Sequence, residues 1–260
     1  GPPLKFWQAL NSKIGLNYDF YDGFIVVGNP NRLIYDAVAV RTAFFILGKP
    51  VVFTAAPFAE TSWDLKRTEV ENLALRTNLI NSLYMVERNI PEVMIVFGQR
   101  VMAAENASKV NLSELDAFVA RDNTYLAEFN VGFSTTAKQR NDEGYQCSNE
   151  YSDRLAVIYY HPALRWESYK NLLETSQALL IKTHLREGVD EPARNFLAQN
   201  FSSKPILIYN KLSGETSRSW SAEYGYVGDK SWERAVIRSM WCLAQTNDTK
   251  QFWKIYHQKI

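Results

Sequence analysis

The chain has 260 residues, 29 Lys and Arg against 28 Asp and Glu, a formal net charge of +1, and 46% hydrophobic and 22% charged residues. That length buries a sizeable core, and the balance excludes a mainly disordered chain and any global electrostatic pull toward nucleic acid or an anionic membrane. No apolar stretch reaches the roughly 20 residues that span a bilayer, and none has the pattern of a signal peptide.

Residues 1–3, Gly-Pro-Pro, read as a scar of tag removal, so the expectation is a soluble domain of a longer, membrane-anchored or exported chain whose compartment the sequence leaves open. The first apolar run, residues 23–27, breaks on the turn Gly28-Asn29-Pro30-Asn31-Arg32. A helix is expected over 32–47, closed by Gly48, and a second strand over 50–54. Residues 63–89 place Leu65, Val70, Leu73, Leu79, Ile80, Leu83 and Val86 near helical spacing. A third strand follows at 93–97.

Residues 98–153 interrupt this rhythm, with a helix expected over 115–129 behind Ser113 and a long polar loop over 134–153. The fourth strand covers 155–160. Leu164, Trp166, Tyr169, Leu172, Leu173, Leu179, Leu180 and Leu185 then predict a helix over 163–187, and Asp190-Glu191-Pro192 suits the first turn of another. The fifth strand is expected at 205–209. Residues 211–231 form a second irregular tract carrying Trp220, Tyr224 and Tyr226, and a terminal helix or helix pair begins near Ser231.

Runs that are apolar at every position suit strands covered on both faces. The fold class expected is therefore α/β: a mostly parallel central sheet of about five strands flanked by helices, Rossmann-like and three-layered. One domain over 4–260 is expected, with 98–153 and 211–231 as long loop insertions.

In such a sheet ligands bind at the carboxyl ends of the strands. The residues this rule selects are Asn29, Asn31 and Arg32 after the first strand, then Thr54, Glu60 and Thr61, Gln99 and Arg100, His161, and Asn210 and Lys211. If all five runs share one sheet, these groups share one rim. Arg32 and Arg100 would clamp an anion, Asn29, Asn31 and Gln99 would orient it, and His161 would act as acid or base. The turn at 28–32 suits either that role or a plain structural bend. It lacks the glycine spacing of a dinucleotide fingerprint and the Lys-Ser/Thr of a phosphate loop, so no cofactor is expected. Three scattered histidines without Cys-x-x-Cys or His-Glu-x-x-His spacing predict no metal. No Gly-x-Ser-x-Gly elbow is present, and neither Cys147 nor Cys242 has a base beside it in sequence.

Two functions remain. The missing motifs favour a non-catalytic protein-binding adaptor on a Rossmann-like scaffold, with Trp220, Tyr224 and Tyr226 as partner surface, in a membrane-associated or secretion-related assembly. The alternative is an enzyme of hydrolase or transferase type, or a small-ligand binder, taking a phosphate- or carboxylate-bearing ligand at the rim. The partner expected is another protein, or a small anion in the alternative; neither nucleic acid nor direct membrane contact is expected.

Overall fold

The structure, a computed structural model, describes residues 3–57, 69–111, 117–129, 144–185, 188–201, 203–210, 224–228 and 230–258. Within the span expected as one domain, the chain packs as two compact units, Gly1–Asn149 and Glu150–Ile260.

The first unit contains α1 (Pro3–Leu16), β1 (Phe24–Gly28), α2 (Leu33–Ala43), β2 (Phe44–Ile46), β3 (Val51–Ala55), α3 (Glu69–Glu87) and β4 (Val93–Phe97). Five short strands follow: β5 (Arg100–Ala103), β6 (Ala107–Lys109), β7 (Phe118–Ala120), β8 (Ala127–Glu128) and β9 (Gln146–Cys147). Its main sheet has the order β1-β3-β4-β5-β8, with β1, β3 and β4 parallel and β5 and β8 antiparallel. Every residue of β3 and β4 is buried, as their unbroken apolar sequences require. Helix α2 packs on β3 and β4, while α3 packs on β3, β1 and β4.

Three local expectations are corrected here. Helix α2 stops at Ala43 instead of running to Leu47, because the aromatic, β-prone Phe44-Phe45-Ile46 pairs antiparallel with β9, a partner about a hundred residues downstream. The helix expected over 115–129 is replaced, among the described residues, by β7, a turn at Arg121–Asn123 and β8. Asp122 and Asn123 there adopt left-handed φ of 57° and 54°, which short polar residues tolerate and a helix does not. Ser113 lies outside the described residues.

The third concerns the face of α3. Among its described residues the buried ones are Asn78, Ser82 and Met85, with Val86 partly buried beside them, whereas Leu73, Ile80 and Leu83 are exposed. Hydrophobic spacing alone misplaces Leu73, Ile80 and Leu83 on the buried face and misses Asn78 and Ser82.

The second unit contains β10 (Leu155–Tyr159), α4 (Lys170–Thr175), β11 (Ala178–Lys182), α5 (Glu191–Asn200), β12 (Ile206–Tyr209), β13 (Tyr224–Tyr226), α6 (Trp232–Gln245) and α7 (Thr249–Tyr256). Its sheet is parallel throughout, in the order β10-β11-β12-β13. Strand β11 falls where the helix over 163–187 was expected. Ser176 ends α4, its hydroxyl donating to Leu172 O at 2.6 Å, and Leu179, Leu180 and Ile181 are then wholly buried. Helix α5 starts where the Asp-Glu-Pro triplet placed it, with the Asp190 carboxylate accepting from Ala193 N at 3.0 Å.

The fold is thus α/β, with a mixed five-stranded sheet and a parallel four-stranded sheet flanked by helices. All five runs singled out in the sequence are strands, but three belong to the first sheet and two to the second. Among the described residues no helix is long and apolar enough to cross a membrane.

Candidate functional site

Because β1, β3 and β4 are parallel, their carboxyl ends share one rim of the first sheet. The turn after β1 is built by its own side chain: Asn29 Oδ1 accepts from Asn31 N at 2.8 Å, and Asn29 O accepts from Arg32 N at 3.0 Å. This Asx turn delivers the chain into α2, for which Arg32 stands at the N-cap.

Farther along the rim, Asn78 of α3 donates to Ala55 O at the end of β3 and accepts from Gly98 N after β4, both at 2.9 Å. Asn81 donates to Gly98 O, also at 2.9 Å. One buried carboxamide thereby fixes the exits of two strands.

A residue that the sequence did not single out completes the site. Phe118 of β7 packs edge-on against Phe97 at the end of β4, with centroids 4.7 Å apart, and β7 pairs with β6. Lys109, the last residue of β6, thereby reaches the turn, where Nζ donates to Asn31 Oδ1 at 2.7 Å. Burial lowers the Lys109 ammonium below its ordinary pKa. An ammonium has no acceptor, so the bond identifies Oδ1 and leaves Asn31 Nδ2 as a donor.

Arg32 lies over the Phe6 ring of α1, 4.8 Å from its centroid, with Nη2 3.3 Å from Asp36 Oδ2. Asp36 also accepts from Trp7 Nε1 at 2.7 Å. Burial raises the Asp36 carboxyl above its ordinary pKa although Trp7 and Arg32 both pull it down. Asn31 and Lys109 therefore offer a carboxamide N–H₂ and an ammonium at the turn, and the next residue, Arg32, carries a guanidinium; all are hydrogen-bond donors. Such a set suits a carboxylate, or the carbonyl oxygen of a carboxamide.

Of the other sequence candidates, Gln99 and Arg100 lie two or more strands from β1 in the same sheet. Gln99 is exposed on the β4–β5 turn, two strand spacings or about 10 Å from the end of β1. Arg100 lies over the Tyr125 ring and 3.9 Å from Glu128, so its charge is committed to β8. His161 follows β10 in the second unit and is exposed; the argument that put it on one rim with Asn29, Asn31 and Arg32 required a single sheet, and β1 and β10 belong to different ones. Tyr224 and Tyr226 are not loop residues but strand residues, paired with Ile206 and Ile208 of β12. Trp220, Glu60, Thr61 and Lys211 lie outside the described residues.

Residues 3–141 match the family described as "Asparaginase, N-terminal". L-asparaginase 1 of Escherichia coli is 25% identical over an alignment of 277 positions, covering 98% of this chain and 78% of that protein. The crystal structure of L-asparaginase I from Vibrio cholerae superposes with a TM-score of 0.81 at 20% identity, covering 99% of this chain and 80% of that one. The thermostable L-asparaginase from Thermococcus kodakarensis gives 0.79 at 17% identity, covering 98% and 80%. These matches overturn the expectation of a non-catalytic protein-binding adaptor in a membrane-associated or secretion-related assembly, since the proteins it resembles are enzymes by name.

Proposed function

Because this chain belongs to the asparaginase family, matched over more than half its length, we propose that it hydrolyses the side-chain amide of asparagine or of a close relative. The net reaction consumes one water and yields a carboxylate and an ammonium ion. We place the substrate at the rim of the first sheet, on the turn after β1.

Asparagine carries a carboxylate and a carboxamide, and each presents oxygen to donors. Arg32 offers a planar fork matched to a carboxylate, while Asn31 Nδ2 and the remaining Lys109 N–H groups can take a carbonyl oxygen. The observation that carries the location is the Lys109–Asn31 bond, which joins the end of β6 to the turn at a partly exposed rim.

The test is ammonia release from L-asparagine and L-glutamine by the purified chain, with Lys109→Met and Arg32→Gln beside it. Release from at least one amide is expected, with kcat/KM falling about a hundredfold in each variant, in line with the loss of one oriented charged contact. A chain that releases no ammonia from either amide would falsify the activity. Full activity in both variants would move the site away from this turn.

A further inference from the structure

Asp36 is the only acidic residue of α2, a helix otherwise buried through Leu33, Ile34, Ala37, Val38, Ala39 and Val40. It is 3% exposed, and its two oxygens face different helices: Oδ1 takes the Trp7 indole N–H of α1, and Oδ2 faces the Arg32 guanidinium. Arg32 is also held from behind by the Phe6 ring. Two direct contacts, from Asp36 and Phe6, thus hold a side chain that is still 44% exposed, and Trp7 in turn holds Asp36.

Stability does not account for this arrangement. Ion pairs with one exposed member contribute little, and a buried carboxylate carries a desolvation cost that a valine at the same position would avoid. What the arrangement does supply is a guanidinium with one orientation.

We infer that Asp36 is a positioning residue, which together with Trp7 holds Arg32 so that its free edge receives the ligand carboxylate at the Asn29–Asn31 turn. The inference rests on the site proposed above. It also separates two effects of opposite sign. As a mere counter-charge, Asp36 competes with an incoming carboxylate, and its neutralisation tightens binding. As a positioner, its neutralisation frees the guanidinium and weakens binding.

Calorimetric titration of L-aspartate, the carboxylate product, into the whole chain distinguishes them. Asp36→Asn is expected to weaken binding about tenfold, near the lower end for a charge-assisted contact. Asp36→Glu should restore part of that loss, and Trp7→Phe should weaken binding in the same direction. In the double variant with Arg32→Gln, Asp36→Asn should add nothing, because it acts only through Arg32.

Tighter or unchanged binding by Asp36→Asn, with Arg32→Gln weakened, overturns this inference and leaves the site standing. A further tenfold loss in the double variant makes the effect a general structural one and overturns it too. Unchanged binding in Arg32→Gln, or no binding by the wild-type chain, removes the site and the inference together. Should Asp36→Asn fail to fold, Trp7→Phe alone decides: unchanged affinity counts against the positioning role.

Discussion

The Asp36 carboxyl titrates under opposing influences, and burial outweighs the Trp7 and Arg32 contacts, so its folded pKa lies above the ordinary 3.8. Between those two values the folded chain holds more protons than the unfolded one, and stability therefore falls as pH rises through that window. Urea unfolding from about pH 4 to pH 7 should show wild type losing stability relative to Asp36→Asn, which cannot ionise. A relative gain for wild type would mean that its partners outweigh burial. Asn78 carries a different load: its truncation to Ala strands Ala55 O and Gly98 N at the ends of β3 and β4, at a cost of about 2–4 kcal/mol read from the same unfolding curves. A loss under about 0.5 kcal/mol would show that water or backbone relaxation satisfies both groups. At this scale the sequence was partly legible. A lone acid inside Leu-Ile-Tyr-Asp-Ala-Val-Ala-Val signals a buried carboxylate with a partner, although only its neighbour Arg32 was singled out. Lys109 gave no such signal, because its role depends on β6 and β7 bringing it to a turn 78 residues earlier in the chain.

Short apolar runs were the most legible elements. The five of them became β1, β3, β4, β10 and β12 with ends displaced by a residue at most; β3, β4 and β12 are buried throughout as such runs require, whereas Val27 of β1 and Val157 and Tyr159 of β10 are exposed, so the expectation of two covered faces fails for those two strands. Strand β11 was hidden because Leu172, Leu173, Leu179 and Leu180 satisfy a helical period as readily as a strand, and only Ser176 marks the break. Strand β13 is short and holds Gly225 in its middle, against the Trp253 ring of α7. A β-carbon there would lie 2.4 Å from the ring edge. Gly225→Ala should accordingly cost about 1–3 kcal/mol, as overpacking does, with the loss visible as a lower Tm. An unchanged Tm would mean that Trp253 has room to turn aside.

For the whole molecule, the class α/β was readable and the grouping of its strands was not. Short apolar runs state that a sheet exists; they do not say that the chain closes one sheet with β5 and β8 and opens another at β10. The adaptor reading failed for a related reason. It treated missing local motifs as missing chemistry, whereas Lys109 reaches Asn31 only through tertiary structure. The orientation of α3 carries a practical lesson for anyone redesigning the chain to be less sticky in solution. The substitutions to make are at Leu73, Ile80 and Leu83, which face water, whereas Asn78 and Ser82 must be left alone. A mutant library ranked by oiliness would choose the reverse, trading a folded chain for an unfolded one.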